Sequence, residues 1–174
     1  MQDLSLHALD IAENSIRAGA SLIQIELIED ESKNLVLLRI EDNGKGMSDE
    51  MLAKVTSPFF TSRTTRRVGL GIALLKQNCV QSEGELVITS RLGQGTKIVA
   101  TMEYHHMDCL PIGDMTSTLI TLIRANPQID WIYHRRYVSG EEVEVDTRQI
   151  RAIMQEVPLD HPEVIQWIKN YLTE

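Results

Sequence analysis

Three short segments, in one order within the first 71 residues, constrain this chain more than its composition does. Asp10-Ile-Ala-Glu-Asn14 lies on a stretch of helical apolar spacing, Asp42-Asn-Gly-Lys-Gly46 follows a hydrophobic run directly, and Gly69-Leu-Gly71 opens a second helical stretch. Each puts carboxylate, amide or glycine at the end or on the wet side of a regular element. Glycines there let the backbone turn tightly or approach a ligand closely. The segments therefore predict a helix, a strand ending on a carboxylate, and a second helix starting on glycines.

The bounds are ordinary. With 174 residues the chain makes one domain, or one domain with a small appendage. No apolar run approaches the ~20 residues of a membrane helix, and the start, Met-Gln-Asp-Leu-Ser-Leu-His, lacks the pattern of a secretory signal. Cys79 and Cys109 are far apart and form no CxxC pair, so reduced thiols in a cytoplasmic protein are expected. A formal charge of −8 disfavours nucleic-acid binding through phosphate neutralisation.

Leu4 to Ile16 follow helical spacing, closed by Ala18-Gly-Ala20. Leu22–Ile28 and Leu35–Ile40 read as a hairpin around a charged turn. Ser48 is a helix cap for Met51, Leu52 and Val55, and Pro58 stops that helix. A helix with Ile72, Ala73, Leu75, Lys76 and Val80 follows Gly71; strands are expected at 85–91 and 96–103. Beyond residue 107 the reading gives a helix capped by Asp114, a hairpin over 129–138 and 141–145, and two closing helices from about Thr147 and Asp160. We divide the chain into 1–106, which carries the three segments, and a small α/β appendage at 107–174.

Asp10 and Asn14 are four apart, so on a helix they share a face. An amide oxygen can enter the oxygen shell of Mg²⁺, and a carboxylate one turn away can hold or deprotonate a water. A polar pair on the wet side of an amphipathic helix accounts for the same spacing. Asp42 can accept from an exocyclic amine of a base, and Gly44 and Gly46 let that base lie close to the backbone, although Asp-Asn-Gly is also a common turn. Free N–H groups at Gly69-Leu-Gly71 attract phosphate oxygens. Gly-x-x-x-x-Gly-Lys-Ser/Thr is absent, which excludes a P-loop, and the 42–49 stretch fits neither an EF-hand nor a dinucleotide fingerprint.

Taken with Pro58-Phe-Phe-Thr61 and Gly93-x-Gly95-Thr96, these segments resemble the ATP site of the GHKL superfamily, which includes gyrase, Hsp90, histidine kinases and MutL. The central boxes are similar to sensor histidine kinases, while Glu13-Asn-Ser-Ile-Arg-Ala-Gly-Ala20 looks as much like MutL. The resemblance covers roughly residues 4–104. It implies a two-layer α/β sandwich with a mixed, largely antiparallel sheet. It implies ATP and Mg²⁺ as ligands, Asn14 as the metal ligand, and Asp10 where the superfamily often has its Glu base, one methylene longer. It further implies nucleotide contacts from Arg17, Asp42, Gly44, Gly46, Met47, Phe60, Arg63, Gly69, Leu70, Gly71 and Thr96. Arg63, Arg66 and Arg67 would lie in an ATP lid whose residues 61–68 are expected to order with a triphosphate.

Three functions remain open on this reading. One is a kinase-like ATPase acting on another protein, one an ATP-gated binding module with little turnover, and one a MutL-like DNA-transaction ATPase, which the acidic balance disfavours. Only Met1 to Asp3 precede the Asp10 helix, so any phosphotransfer is expected in trans, with 107–174 as the docking surface. His105-His106 with Asp108 and Cys109 reads as a junction loop rather than a metal site. His7 reads as a semi-buried helix residue, and Trp131, Tyr133 and Tyr137 as core.

Overall fold

The protein, described by a computed structural model over residues 3–56 and 68–173, with only the backbone given for 68–70, is an α/β sandwich. Its elements run α1 (Leu4–Arg17), β1 (Leu22–Asp30), β2 (Leu35–Asp42), α2 (Asp49–Val55), α3 (Val68–Gln81), β3 (Leu86–Arg91), β4 (Gly95–Met102), α4 (Met115–Ala125), β5 (Asp130–Arg136), β6 (Glu142–Asp146), α5 (Thr147–Met154) and α6 (Pro162–Thr173). The six strands form one sheet in the order β3-β4-β2-β1-β5-β6. Every pairing is antiparallel except β1 with β5, so the sheet is mixed and largely antiparallel.

Local chemistry sets the ends of the helices. Asp3 caps α1 by accepting from Leu6 N–H at 3.0 Å. At its other end Gly19 takes φ +75°, Gly19 N–H reaches Ile16 O and Ala20 N–H reaches Ser15 O. That is the paired 5→2 and 6→1 pattern in which a left-handed glycine satisfies the last carbonyls. Ser48 and Asp114 cap α2 and α4 in the same way as Asp3 caps α1. The closing helix begins at Pro162, two residues later than Asp160, because proline suits the first helical position.

Alternation along the strands then decides the layers. Ile23, Ile25 and Leu27 of β1, Val36, Leu38 and Ile40 of β2, and Ile98, Ala100 and Met102 of β4 point into the core. The helices α1, α3 and α4 supply the other side, with Leu4, Ala8, Ile11, Ile72, Leu75, Leu119 and Ile123. On α3 the buried face uses Ile72, Leu75 and Cys79, while Val80 is 60% exposed. Residues 72, 75 and 79 keep the three- and four-residue spacing of one stripe, and Val80 lies off it.

Across the line between 106 and 107 the sheet does not stop. Strand β5 lies parallel to β1, with Trp131 opposite Ile23 and Tyr133 opposite Ile25. Trp131 and Tyr133 are both buried, while Tyr137 is only partly so and lies under the Arg135 guanidinium at 4.2 Å. One core takes residues from both segments. The open sheet face carries charge instead: Glu26 pairs with Arg39 at 3.5 Å and with His134 at 3.3 Å. Partly exposed pairs of this kind are worth about 0–1 kcal/mol each, so the buried face sets the fold.

Candidate functional site

Strand β2 ends on Asp42, and the loop beyond it is pinned on three sides. Asn43 closes the loop onto β1: its Oδ1 accepts from Ser21 N–H at 2.8 Å and Leu22 N–H at 3.0 Å. Lys45 N–H donates to Ala18 O at the end of α1. Gly46 has φ +67°, and a Cβ there would lie 2.0 Å from Arg91 O. Gly95, at φ +107°, faces the loop from the other side, where a Cβ would lie 1.9 Å from Asp42 O. Both positions therefore require glycine for conformation and for space. The β3–β4 hairpin and the 42–47 loop clasp each other backbone to backbone.

This clasp orients two side chains. Ser15 Oγ donates to Asp42 Oδ2 at 2.6 Å, and Gly44 N–H donates to Oδ1 at 2.8 Å. Ionised carboxylates have about four acceptor positions, so Asp42 is fixed in orientation and keeps lone pairs for another donor. Thr96 stands opposite Asp42 in the β2–β4 ladder. Ser90 Oγ directs its proton to Gly95 O at 3.0 Å and accepts from Met47 N–H at 2.8 Å. The 2.8 Å bond between Ser90 and Thr96 must then run from the Thr96 hydroxyl to Ser90. Thr96 Oγ1, its proton spent, presents only lone pairs to other groups.

Helix α1 supplies the opposite wall. Asn14 Oδ1 accepts from Arg17 Nη1 at 2.8 Å, and Arg17 also meets Glu13 at 3.5 Å. Asp10, one turn earlier, packs against α3: a Cβ on Gly71 would come within 1.7 Å of Asp10 Oδ2. Burial, reinforced by Glu13, raises the Asp10 pKa above the usual carboxylate value, with Arg17 opposing. His7, a further turn back, is completely buried rather than semi-buried. Burial pushes its pKa down to about 4.

Between these parts lies a cavity of about 290 Å³, just under the ~300–1,000 Å³ of ligand sites. Its walls are largely apolar, from Ile11, Met47, Met51, Val55, Ile72 and Ile98. Its polar lining comes from Asp42, Thr96, Asn14, Ser15, Arg17 and Lys45. Of the residues expected from the sequence, Asn14, Arg17, Asp42, Gly46, Met47 and Thr96 line it. Gly44 backs Asp42 through its N–H. Gly69, Leu70 and Gly71 form the first turn of α3, and Asp10 lies in the α1–α3 seam beside the cavity. Phe60 and Arg63, with Arg66, Arg67 and most of the expected lid, lie outside the described residues.

Sequence reasoning did not assign Ser15, Asn43 or Ser90. Nothing in their spacing marks them, since each acts through a residue distant in sequence. Among the described residues no group of His, Cys, Asp and Glu is placed to hold a metal ion, including around His105 and His106. Asn14 Oδ1 fits a hard cation in chemistry: it is a neutral oxygen at the cavity wall, and its present partner is itself a cation.

The comparisons with known proteins agree with this geometry. Residues 2–106 match the family described as histidine kinase-, DNA gyrase B- and HSP90-like ATPases. The chain belongs to that family. Among curated relatives, a putative sensor protein of Shewanella frigidimarina is 33% identical over 99 residues, which is 56% of this chain and 15% of that protein. The non-motile and phage-resistance protein of Caulobacter vibrioides is 32% identical over 109 residues, 58% of this chain and 13% of that one. A sensor histidine kinase of Bacillus subtilis is 29% identical over 89 residues, 49% of this chain and 15% of that one. The chain thus spans a small part of the length of these relatives.

Among solved structures, the Aquifex aeolicus MutL ATPase domain complexed with ADP superposes with a TM-score of 0.52 at 16% identity. It covers 89% of this chain and 70% of its own. The N-terminal domain of a DNA repair protein gives 0.55 at 16%, over 83% of this chain and 52% of its own. Coverage of that extent takes in part of residues 107–174 as well, so the fold likeness reaches beyond the stretch that the family model matches. No helix among the described residues is long and apolar enough to cross a membrane.

Proposed function

We propose that the cavity binds Mg·ATP and that the protein uses the nucleotide to act on, or to regulate, another protein in trans. One observation carries the nucleotide part. The largely apolar slot offers two acceptors, the Asp42 carboxylate, which keeps lone pairs beyond those bound by Ser15 and Gly44, and the Thr96 oxygen, whose proton is committed to Ser90. Adenine fits such a pair through its exocyclic amine. Guanine turns a carbonyl oxygen to the same place and meets repulsion. Asn14 Oδ1 would hold Mg²⁺, which when bound would neutralise triphosphate charge. Arg17 would pair with phosphate, and the unpaired N–H groups at the start of α3 would attract the same anion. Family membership and the sensor histidine kinase of Bacillus subtilis support this reading.

Asp10 gives a specific reason to keep the second reading, a nucleotide-gated binding module with little turnover. Its Oδ2 is wedged against Gly71, so service as a general base needs a water between it and the phosphate or a shift of α1 on α3. Residues 107–174 are proposed as the partner surface. There Trp167 and Tyr171 stack at 5.5 Å on α6, 55% and 40% exposed.

Incubation with γ-labelled ATP and Mg²⁺, alone and with cell lysate, separates the readings. Label on another protein supports transfer in trans, free phosphate alone supports a plain ATPase, and binding without either supports the gated module. Equal calorimetric affinities for ATP and GTP would overturn the nucleotide assignment itself.

A further inference from the structure

Ser90, Thr96 and Asp42 form one row across three strands. Ser90 stands directly opposite Thr96 in the β3–β4 ladder, and Thr96 directly opposite Asp42 in the β4–β2 ladder. Opposed residues put their side chains on the same face of a sheet. Here that face is the cavity's, since Asp42, Thr96 and Ile98 all line it. Ser90 lies one strand further out, behind Thr96.

The backbone clasp fixes the polarity of this row. Ser90 Oγ has three neighbours: Met47 N–H at 2.8 Å, which can only donate, Gly95 O at 3.0 Å, which can only accept, and Thr96 Oγ1 at 2.8 Å. A serine hydroxyl has one proton and two lone pairs, so the two backbone groups leave a single lone pair for Thr96. Both backbone groups belong to the clasp that Gly46 and Gly95 hold by close approach. A ligand therefore cannot reverse the Thr96–Ser90 bond. Without such a partner a threonine hydroxyl turns its proton to suit what it meets. That difference decides what Asp42 can select. An oxo purine carries a ring N–H beside its carbonyl and could give that proton to the Asp42 carboxylate, provided that a donor met the carbonyl. A freely turning Thr96 would be that donor, and a tied one is not.

We propose that Ser90 is a specificity-determining residue that acts through Thr96: by holding the threonine proton, it closes the site to oxo purines and leaves it open to amino purines. The proposal rests on the Mg·ATP reading and adds to it the residue that sets the choice of base. Ser90 meets no ligand itself. Its part is positioning, one hydroxyl behind the cavity wall.

Titration calorimetry of the full chain with ATP and with inosine triphosphate, each with Mg²⁺, tests it. Inosine triphosphate has the carbonyl and ring N–H of an oxo purine without the second amine of guanine. The wild-type chain should prefer ATP. Ser90→Ala should narrow the ratio of the two affinities by roughly three- to tenfold, the worth of one hydrogen bond between neutral groups, mainly through tighter binding of inosine triphosphate. Ser90→Thr keeps the hydroxyl and should keep the wild-type ratio. Thr96→Val has neither proton nor lone pair and should narrow the ratio through weaker binding of ATP. Adding Ser90→Ala to Thr96→Val should then change the ratio no further, because the two residues act as one unit. A role confined to holding the clasp would instead lower both affinities alike. Thermal melts on the same samples report folding, and where Ser90→Ala does not melt cooperatively the Thr96→Val ratio decides. An unchanged ratio in Ser90→Ala or in Thr96→Val overturns the proposal, while ATP binding by the wild-type chain leaves the nucleotide reading standing. A wild-type chain that binds neither nucleotide overturns both.

Discussion

Asp42 does three things with one carboxylate: it ends a strand, it holds Ser15 and the Gly44 N–H, and it keeps lone pairs for a ligand. The first was legible in the sequence, because Asp-x-Gly after an apolar run is a local pattern, and the last was an expectation that the resemblance supplied. The second was not, since Ser15 lies 27 residues away and nothing short of the fold brings it there. Replacing Asp42 by Ala removes both the ligand contact and an internal anchor. ATP affinity should fall roughly ten- to a hundredfold, the worth of a hydrogen bond to a charged acceptor at about 1.5–3 kcal/mol. Because Ser15 is buried, the thermal midpoint should also drop by several degrees with cooperative unfolding retained. Calorimetry and a thermal melt on one sample check both, and an unchanged affinity would remove Asp42 from the site. His7 makes a separate prediction. Its folded pKa of about 4 lies below the ordinary 6.5, so between these values the unfolded chain binds more protons. Stability is complete above about pH 6.5 and is lost as pH falls toward 4, by roughly 1–3 kcal/mol. Denaturant midpoints across pH 4–7 should show this slope, and His7→Phe should flatten it.

Elements were readable where their signals are local. Ser48, Asp114 and Gly19 act as caps by the bonds their residue types suggest, and the β1–β2 hairpin spans the two apolar runs. The inward choice of Cys79 over Val80 was less readable, because both are compatible with helical spacing and only packing against β4 chooses. The clasp between the 42–47 loop and the β3–β4 turn joins glycines far apart in the chain, and it makes the most severe single-site prediction. Gly46→Ala places a Cβ 2.0 Å from the Arg91 carbonyl at φ +67°, and Gly95→Ala puts one 1.9 Å from the Asp42 carbonyl at φ +107°. Backbone cannot yield as a flexible side chain does, so each change should cost more than about 3 kcal/mol, at the far end of the single-substitution range. Gly93→Ala, in the same turn and also at positive φ but with open space around it, should cost only about 1 kcal/mol. Similar losses for all three in denaturant unfolding would show that conformation, not close approach, governs the clasp.

At the scale of the molecule, the sequence divides at 106/107 and the sheet does not. The parallel pairing of β1 with β5 joins residues more than a hundred apart, and no periodicity announces which edge of a hairpin a later strand will choose. The physical reason for the choice is visible only in the assembled core. Ile23 and Ile25 are buried beside Trp131 and Tyr133, and α4 covers α1, with Thr118 buried beside Ser5 and Leu4 N–H bonded to Pro111 O. The family match to 2–106 therefore marks where the nucleotide segments are, while the folding unit extends through β5, β6 and the closing helices. A chain ending at residue 106 would lose the buried Trp131 and Tyr133, each worth about 3–5 kcal/mol when truncated to alanine. It would also leave β1 as an open edge rich in isoleucine and leucine, the kind of strand that pairs with other chains. These losses approach the ~5–15 kcal/mol total stability of a domain. The 1–106 fragment should consequently lack a cooperative thermal transition and elute as aggregate on size exclusion, and co-expression with 107–174 should return a soluble complex. A monomeric 1–106 fragment that melts cooperatively near the full-length midpoint would show instead that the second segment only decorates a finished domain.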